Sequence, residues 1–184
     1  GVFDWANMPD SPSYGDPATD AQRAEIGRLT SDIGIICAMD YGQASGAGLY
    51  MLVEAFRQFG YSNAVAYHRK EGADLEQMRR ALLSNLDAGL PVMLSITGPL
   101  GGHAIVADGY GYSDSTLYCH FNMGWYGDDD AWYAPPIFEC SEGDYFDGVN
   151  GFVYNVFTNQ TAAAVVVSGR VLDAVGAPVA GAAG

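Results

Sequence analysis

The sequence predicts an α+β fold in which helices gather in the first half of the chain and strands in the second. Apolar residues recur at helical spacing as far as Gly89, and after Pro91 the period drops to two. Segregated elements of this kind build a helical layer packed on a mainly antiparallel sheet. The 184 residues are 49% hydrophobic and 12% aromatic, enough apolar material for one sizeable core and too much for a disordered chain.

Residues Val2 to Pro17, with Pro9, Pro12 and Pro17 among Asp and Ser residues, read as an irregular lead-in. A helix follows from Asp20, with Ile26, Leu29 and Ile33 on one face and Gly34 placed to end it; "IGIICAMDYG" then reads as extended or turn-like. A second helix is expected from Ser45 as N-cap, with Leu49, Leu52, Val53, Phe56 and Phe59 as its buried stripe and Gly60 as its stop. A third opens at Asp74, where Asp74 and Gln77 have capping-box spacing, and runs through Leu75, Met78, Leu82 and Leu86 to Gly89. The segments "PVMLSI", "HAIVADGY", "STLYCHFN" and "GFVYNVF" read as strands separated by Gly, Ser and Asp turns.

Charge narrows the function classes. Twenty-two acids against eight bases give a net charge of -14, with Lys70 the sole lysine, so nucleic acid is an unsuitable partner. No apolar run reaches the length of a membrane span, and the first residues, "GVFDWANMPD", have neither the charged nor the apolar region of a signal peptide. No membrane partner is expected. The three cysteines, Cys37, Cys119 and Cys140, are odd in number and lack metal-ligand spacing, so no cofactor or metal is expected either.

The tail changes composition to Ala, Val and Gly without aromatic residues. Its "VSGRVLDAVGAPVAGA" resembles the opening strand and turn of a carboxypeptidase-regulatory-like β-sandwich module. The expected division is therefore a first domain over residues 1–158 and a linker with the first strand of a second module over 159–184.

The chemistry concentrates in "GPLGGHAIVADGYGYSDSTLYCHFNMGWYG". Nucleophilic cysteine catalysis needs a thiolate, a histidine within reach and a polar group that fixes the imidazole tautomer. His103 follows Gly101 and Gly102, where unencumbered backbone lets a substrate chain approach closely. Asn122 ends the next strand, and a hairpin of this length can return it beside His103. The alternative is a histidine at a strand start, held by a backbone carbonyl.

Three blocks, "LTSDIGIICAMDYGQASGAG", "GPLGGHAIVADGY" and "FNMGWYGDDDAWY", resemble, in order, the signature blocks of the streptopain family of papain-like cysteine peptidases, which run close to "VGVSVDMDYGPSGSGA", "GGHAFVIDGY" and "NWGWGG". "FDWANMP" resembles the segment that precedes them, so the likeness spans roughly residues 3 to 157. It implies a papain-like fold with its N-terminal part missing, helices packed against an antiparallel sheet or partial barrel. It also implies that His103 is the general base, that Asn122 orients it and that Trp125 shields the pair from water. Met123 stands where the family has the first Trp. By the same resemblance Ser45, Gly46 and Gly102 lie along the bound peptide.

The family's nucleophile and its oxyanion-hole glutamine belong upstream of the "DWANMP"-like segment, so the resemblance places both before this sequence. Cys37 and Cys119 read as core residues, and Cys140 lies among carboxylates that raise its pKa. None is a good substitute nucleophile. His120 reads as a surface or hydrogen-bonded residue that also has the register to line the site, His68 as exposed, and "GDDDAW" as a solvated turn without a calcium-loop pattern.

The function expected is a secreted or cell-surface bacterial cysteine endopeptidase acting through a thioester acyl-enzyme on peptide or protein substrates. The chain as given is expected to be inactive. The alternative is a catalytically dead homologue that binds peptides or proteins. An exposed apolar patch is also expected, open to self-association, where the N-terminal part would pack.

Overall fold

The computed structural model describes residues 2–9, 15–68 and 74–158. Part of the proline-rich lead-in and the whole carboxypeptidase-regulatory-like tail lie outside the described residues.

Helix α1 (Asp20–Ile36) opens with a reciprocal cap: the Thr19 hydroxyl accepts from the Gln22 amide, and the Gln22 side chain accepts from the Thr19 amide. Such a cap stabilises a helix by about 1 kcal/mol. Gly34 does not end the helix. It is buried inside the last turn, and the Tyr41 hydroxyl lies 1.9 Å from where a Cβ at residue 34 would sit. Glycine is therefore needed for packing, and the chain breaks only at Ala38, with φ +48°.

Helix α2 (Leu49–Gln58) also starts later than the sequence suggests, with Gly48 and not Ser45 as its N-cap. The reason is a pair of backbone hydrogen bonds between Asp40 and Gly46, at 2.9 and 3.1 Å, that draws the intervening loop closed. Helix α3 (Leu75–Asp87) begins as expected: the Asp74 carboxylate accepts from the Glu76 and Gln77 amides.

The strands are β1 (Val65–His68), β2 (Val92–Gly98), β3 (Gly101–Ser113), β4 (Thr116–Asn122), β5 (Ala131–Tyr133), β6 (Phe138–Glu139), β7 (Tyr145–Phe146) and β8 (Gly148–Tyr154). Six form an antiparallel sheet in the order β1-β8-β2-β3-β4-β5, and β6 pairs with β7. The four strands read from the sequence are β2, β3, β4 and β8. The short β1, β5, β6 and β7 carry too few alternating residues to announce themselves.

One face of the sheet makes the main core, where Met78 and Leu82 of α3 pack with Leu94, Ile96, Ile105, Phe121 and Phe152. Buried Asn85 ties this helix down, its Nδ2 donating to the Ala81 carbonyl and its Oδ1 accepting from the Asn155 amide at 2.8 Å. On the opposite face α2 covers β1, β8 and β2 through Val53, Ala64 and Val153. The same face of β3, β4 and β5 lies open, with Ala104, Val106, Asn122 and Trp132 exposed.

The chain start is clamped onto α1. Arg28 lies over the Phe3 ring at 4.5 Å, pairs with Glu25 and donates to the Val2 carbonyl, while the Asp4 amide donates to Glu25. Beside this clamp is a mixed hollow of about 510 Å³ walled by Phe3, Trp5, Phe59 and Ile35, the last 75% exposed, together with the polar Asp32 and Gln58.

Candidate active site

The site grows from the hairpin between β2 and β3. Gly98 pairs with Gly101, leaving Pro99 and Leu100 as a two-residue loop, and Gly101 adopts φ +140°, a conformation open to glycine. Gly98 is required for another reason: a Cβ there would meet the Tyr145 carbonyl at 2.0 Å. These glycines set His103 opposite Ile96, at the third position of β3.

His103 is half-buried and its Nε2 lies 2.7 Å from the Met123 carbonyl oxygen. A carbonyl only accepts, so Nε2 carries the proton and the lone pair of the neutral ring resides on Nδ1. The Trp125 ring stacks on the imidazole with centroids 4.6 Å apart and planes 21° apart, and Phe146 lies 6.1 Å away at 27°. The loop that supplies the carbonyl is itself fixed, because the Met123 amide donates to Asp130 at 2.7 Å.

Asn122 and His103 are not brought together. The β3–β4 register sets Asn122 opposite Val106, on the exposed face of the sheet, and its Oδ1 accepts from the Gly124 amide at 2.9 Å. Side chains alternate across a strand, so the neighbour of a core-facing residue faces away. The group that meets His103 is the backbone of Met123: a carbonyl holds the ring, as the alternative reading of the sequence has it, although which residue supplies that carbonyl leaves no trace in residue identity. The Met123 side chain is fully buried in the main core.

Ser45, Gly46 and Gly102 do meet His103: all four line a cleft of about 430 Å³ floored by apolar residues that include Leu52 and Met93. Both backbone groups of Gly46 are taken by Asp40. In an extended segment the backbone groups of adjacent residues point opposite ways, so Ser45 and Ala47 present theirs away from Asp40.

The cysteines divide as follows. Cys37 lines the same cleft but is buried, its thiol donating to the Met51 carbonyl at 3.7 Å, and burial pushes its pKa up. Cys119 is fully buried and its pKa is pushed up to about 12 by desolvation. Desolvation raises the Cys140 pKa first, with Asp129 and Asp144 adding to it against the hydrogen bond from Tyr133. All three are held toward the unreactive thiol. Asp129 accepts from the amide and hydroxyl of Ser141, and His68 is exposed. His120 lies on the open sheet face, its Nδ1 2.6 Å from Asp108.

Residues 1–133 match the pattern of the peptidase C10 family. The chain belongs to the peptidase C10 family. It is 30% identical over 152 residues to streptopain of Streptococcus pyogenes, including the serotype M1 and M3 proteins, an alignment covering 82% of this chain and 37% of the relative. Among solved structures, the active wild-type interpain A cysteine protease of Prevotella intermedia superposes with a TM-score of 0.72 at 28% identity, over 85% of this chain and 65% of that one. The chain thus spans little more than a third of the length of the curated C10 relatives it matches. The papain-like architecture of three helices on an antiparallel sheet agrees with that neighbour.

Proposed function

We propose that this chain supplies the general base and the substrate cleft of a secreted bacterial cysteine endopeptidase, with the nucleophilic thiol coming from polypeptide that precedes the sequence. The observation that carries this reading is that His103, though held by a backbone carbonyl, lines the cleft with Ser45, Gly46 and Gly102, so the Nε2 bond to Met123 leaves the Nδ1 lone pair for proton transfer there.

In the proposed mechanism Nδ1 takes the proton of the thiol as sulfur attacks the scissile carbonyl carbon. The imidazolium so formed is stabilised by the Met123 carbonyl and by the Trp125 face against it. Its Nδ1 proton then passes to the leaving amine as the C–N bond breaks and a thioester remains. Water, deprotonated by the same nitrogen, attacks the thioester and releases the acid product and the thiol. The extended substrate lies along Ser45 and Gly102, pairing with the backbone of Ser45 or Ala47, since that of Gly46 is occupied.

The alternative of a non-catalytic peptide-binding homologue drew its support from Met123 in place of Trp. That side chain points into the core, and what it offers His103 is backbone, which any residue supplies. The test is peptide hydrolysis by two proteins, the 184-residue chain and the same chain extended upstream as its gene encodes. The extended protein is expected to cleave and to be stopped by a thiol alkylator, while the shorter one is inert. Turnover by the shorter chain contradicts the proposal.

A further inference from the structure

We propose that the open face of β3, β4 and β5 is an exosite on which a basic segment of the polypeptide substrate docks, an arginine side chain stacking on Trp132. The proposal deepens the peptidase reading and rests on it for the identity of the occupant as substrate.

The platform is built by an irregularity in the sheet. Asp108 is an extra residue between the pairs Ala107–Phe121 and Gly109–His120, and this bulge advances the alternation by one. Gly109 and Gly111 therefore lie on the same open face as Ala104 and Val106. Having no side chains, they leave a bed for the Trp132 indole, whose ring carbons come within 3.8 and 3.7 Å of where their Cβ atoms would be. The indole crosses β4 to reach them, flanked by the His120 ring at 5.5 Å and 64°, and remains 55% exposed. Tyr118, Ser113 and Tyr112 complete a shallow hollow of about 340 Å³ around its rim.

Charge selects the occupant. Residues 81–169, which include every strand of the sheet except β1, contain ten Asp and Glu residues and no Lys or Arg. Asp108 sits at the platform edge, held to His120. Arg79 reaches the Tyr112 hydroxyl at 3.3 Å from α3, on the far face of the sheet. An exposed indole in an acidic field favours a guanidinium, which stacks on aromatic faces and pairs with a carboxylate. Position ties the platform to the cleft. Ala104 lines the cleft, and Asp108 is four residues along the same strand, roughly 13 Å at strand rise. A polypeptide seated at His103 has the platform within a few residues' reach.

The experiment is a titration of the full 184-residue chain, ¹⁵N-labelled, with the peptide acetyl-Gly-Arg-Gly-Arg-Gly-amide, following the indole N–H signals of Trp5, Trp125 and Trp132. The expected result is a saturable shift of the Trp132 signal, at least tenfold weaker binding of the same peptide carrying citrulline, and at least tenfold loss in Trp132→Ala. Trp132→Phe keeps a ring over the glycines and is expected to retain part of the affinity, while Asp108→Asn weakens it several-fold. Equal binding of the citrulline peptide, a shift confined to Trp125, or a larger Trp132 shift with a neutral oligosaccharide overturns the proposal. The readout is binding at Trp132, so a peptidase assay that fails leaves this result standing, and a failed titration leaves the His103 assignment standing.

Discussion

His103 and His120 stand on adjacent strands, each beside a tryptophan and each hydrogen-bonded, yet their surroundings give them different work. His103 is stacked nearly parallel on Trp125 at the cleft and bonded to a backbone carbonyl. His120 meets Trp132 edge-on at 64° on the open face and is bonded to the exposed carboxylate of Asp108. A neutral acceptor leaves the ring a base that gains charge only on taking a proton. A carboxylate partner makes a charge-neutral surface pair once the ring is protonated. Residue type proposes a catalytic histidine, and position decides: His103 lines the cleft and His120 does not.

The sharpest way to break this contrast is His103→Ala in the upstream-extended protein. Loss of the base should lower kcat/KM by on the order of 10³-fold or more, read with a short fluorogenic peptide, with no loss of folding by circular dichroism. Trp125→Ala should cost less, roughly 10- to 100-fold, because the imidazole keeps its carbonyl partner but loses the ring that shields it. A Trp125 variant as dead as His103→Ala would mean the stack, and not the carbonyl, holds the base.

The buried face of β4 carries a pH response of its own. Cys119 lies between Tyr118 and His120 in sequence but in the core, and its pKa rises from near 9 to about 12. A raised folded pKa means the unfolded chain loses its proton first, so the contribution to stability is complete below about pH 9 and is lost as pH climbs toward 12. Cys37 and Cys140 are shifted in the same direction. The slope attributable to one such thiol is at most about 1.4 kcal/mol per pH unit. Thermal melts between pH 8 and 11 should show falling stability, with a shallower fall in Cys119→Ala; an unchanged slope in that variant would remove Cys119 as the cause. The smallest effect is expected for Asn122→Ala, less than about threefold in kcat/KM, since its carboxamide faces away from His103 and bonds Gly124. A 100-fold loss there would restore Asn122 as the orienting group.

Much of this architecture is legible in the sequence. The stripe of Met78, Leu82 and Leu86 and the Asp74 cap define α3, and the alternation in "HAIVADGY" defines the core of β3. Gly101 and Gly102 mark His103 as a residue with open backbone beside it. Long periodic segments carry their own evidence because many positions agree. Gly34 and Ser45 mislead for a tertiary reason: Tyr41 needs the space above Gly34, and the Asp40–Gly46 pairing displaces the start of α2. Which residue supplies the carbonyl to His103, and the bulge at Asp108, are hidden for a different reason. Both are properties of backbone register, which any side chain can accompany.

The role of His103 as a base depends on which of its nitrogens carries the proton. Long-range ¹H–¹⁵N correlation spectra of the 184-residue chain, recorded at a pH where the ring is neutral, report this directly. The prediction is a protonated Nε2 and a bare Nδ1 for His103. A protonated Nδ1 would mean that the lone pair faces the Met123 loop, and His103 would then be a structural histidine and no base.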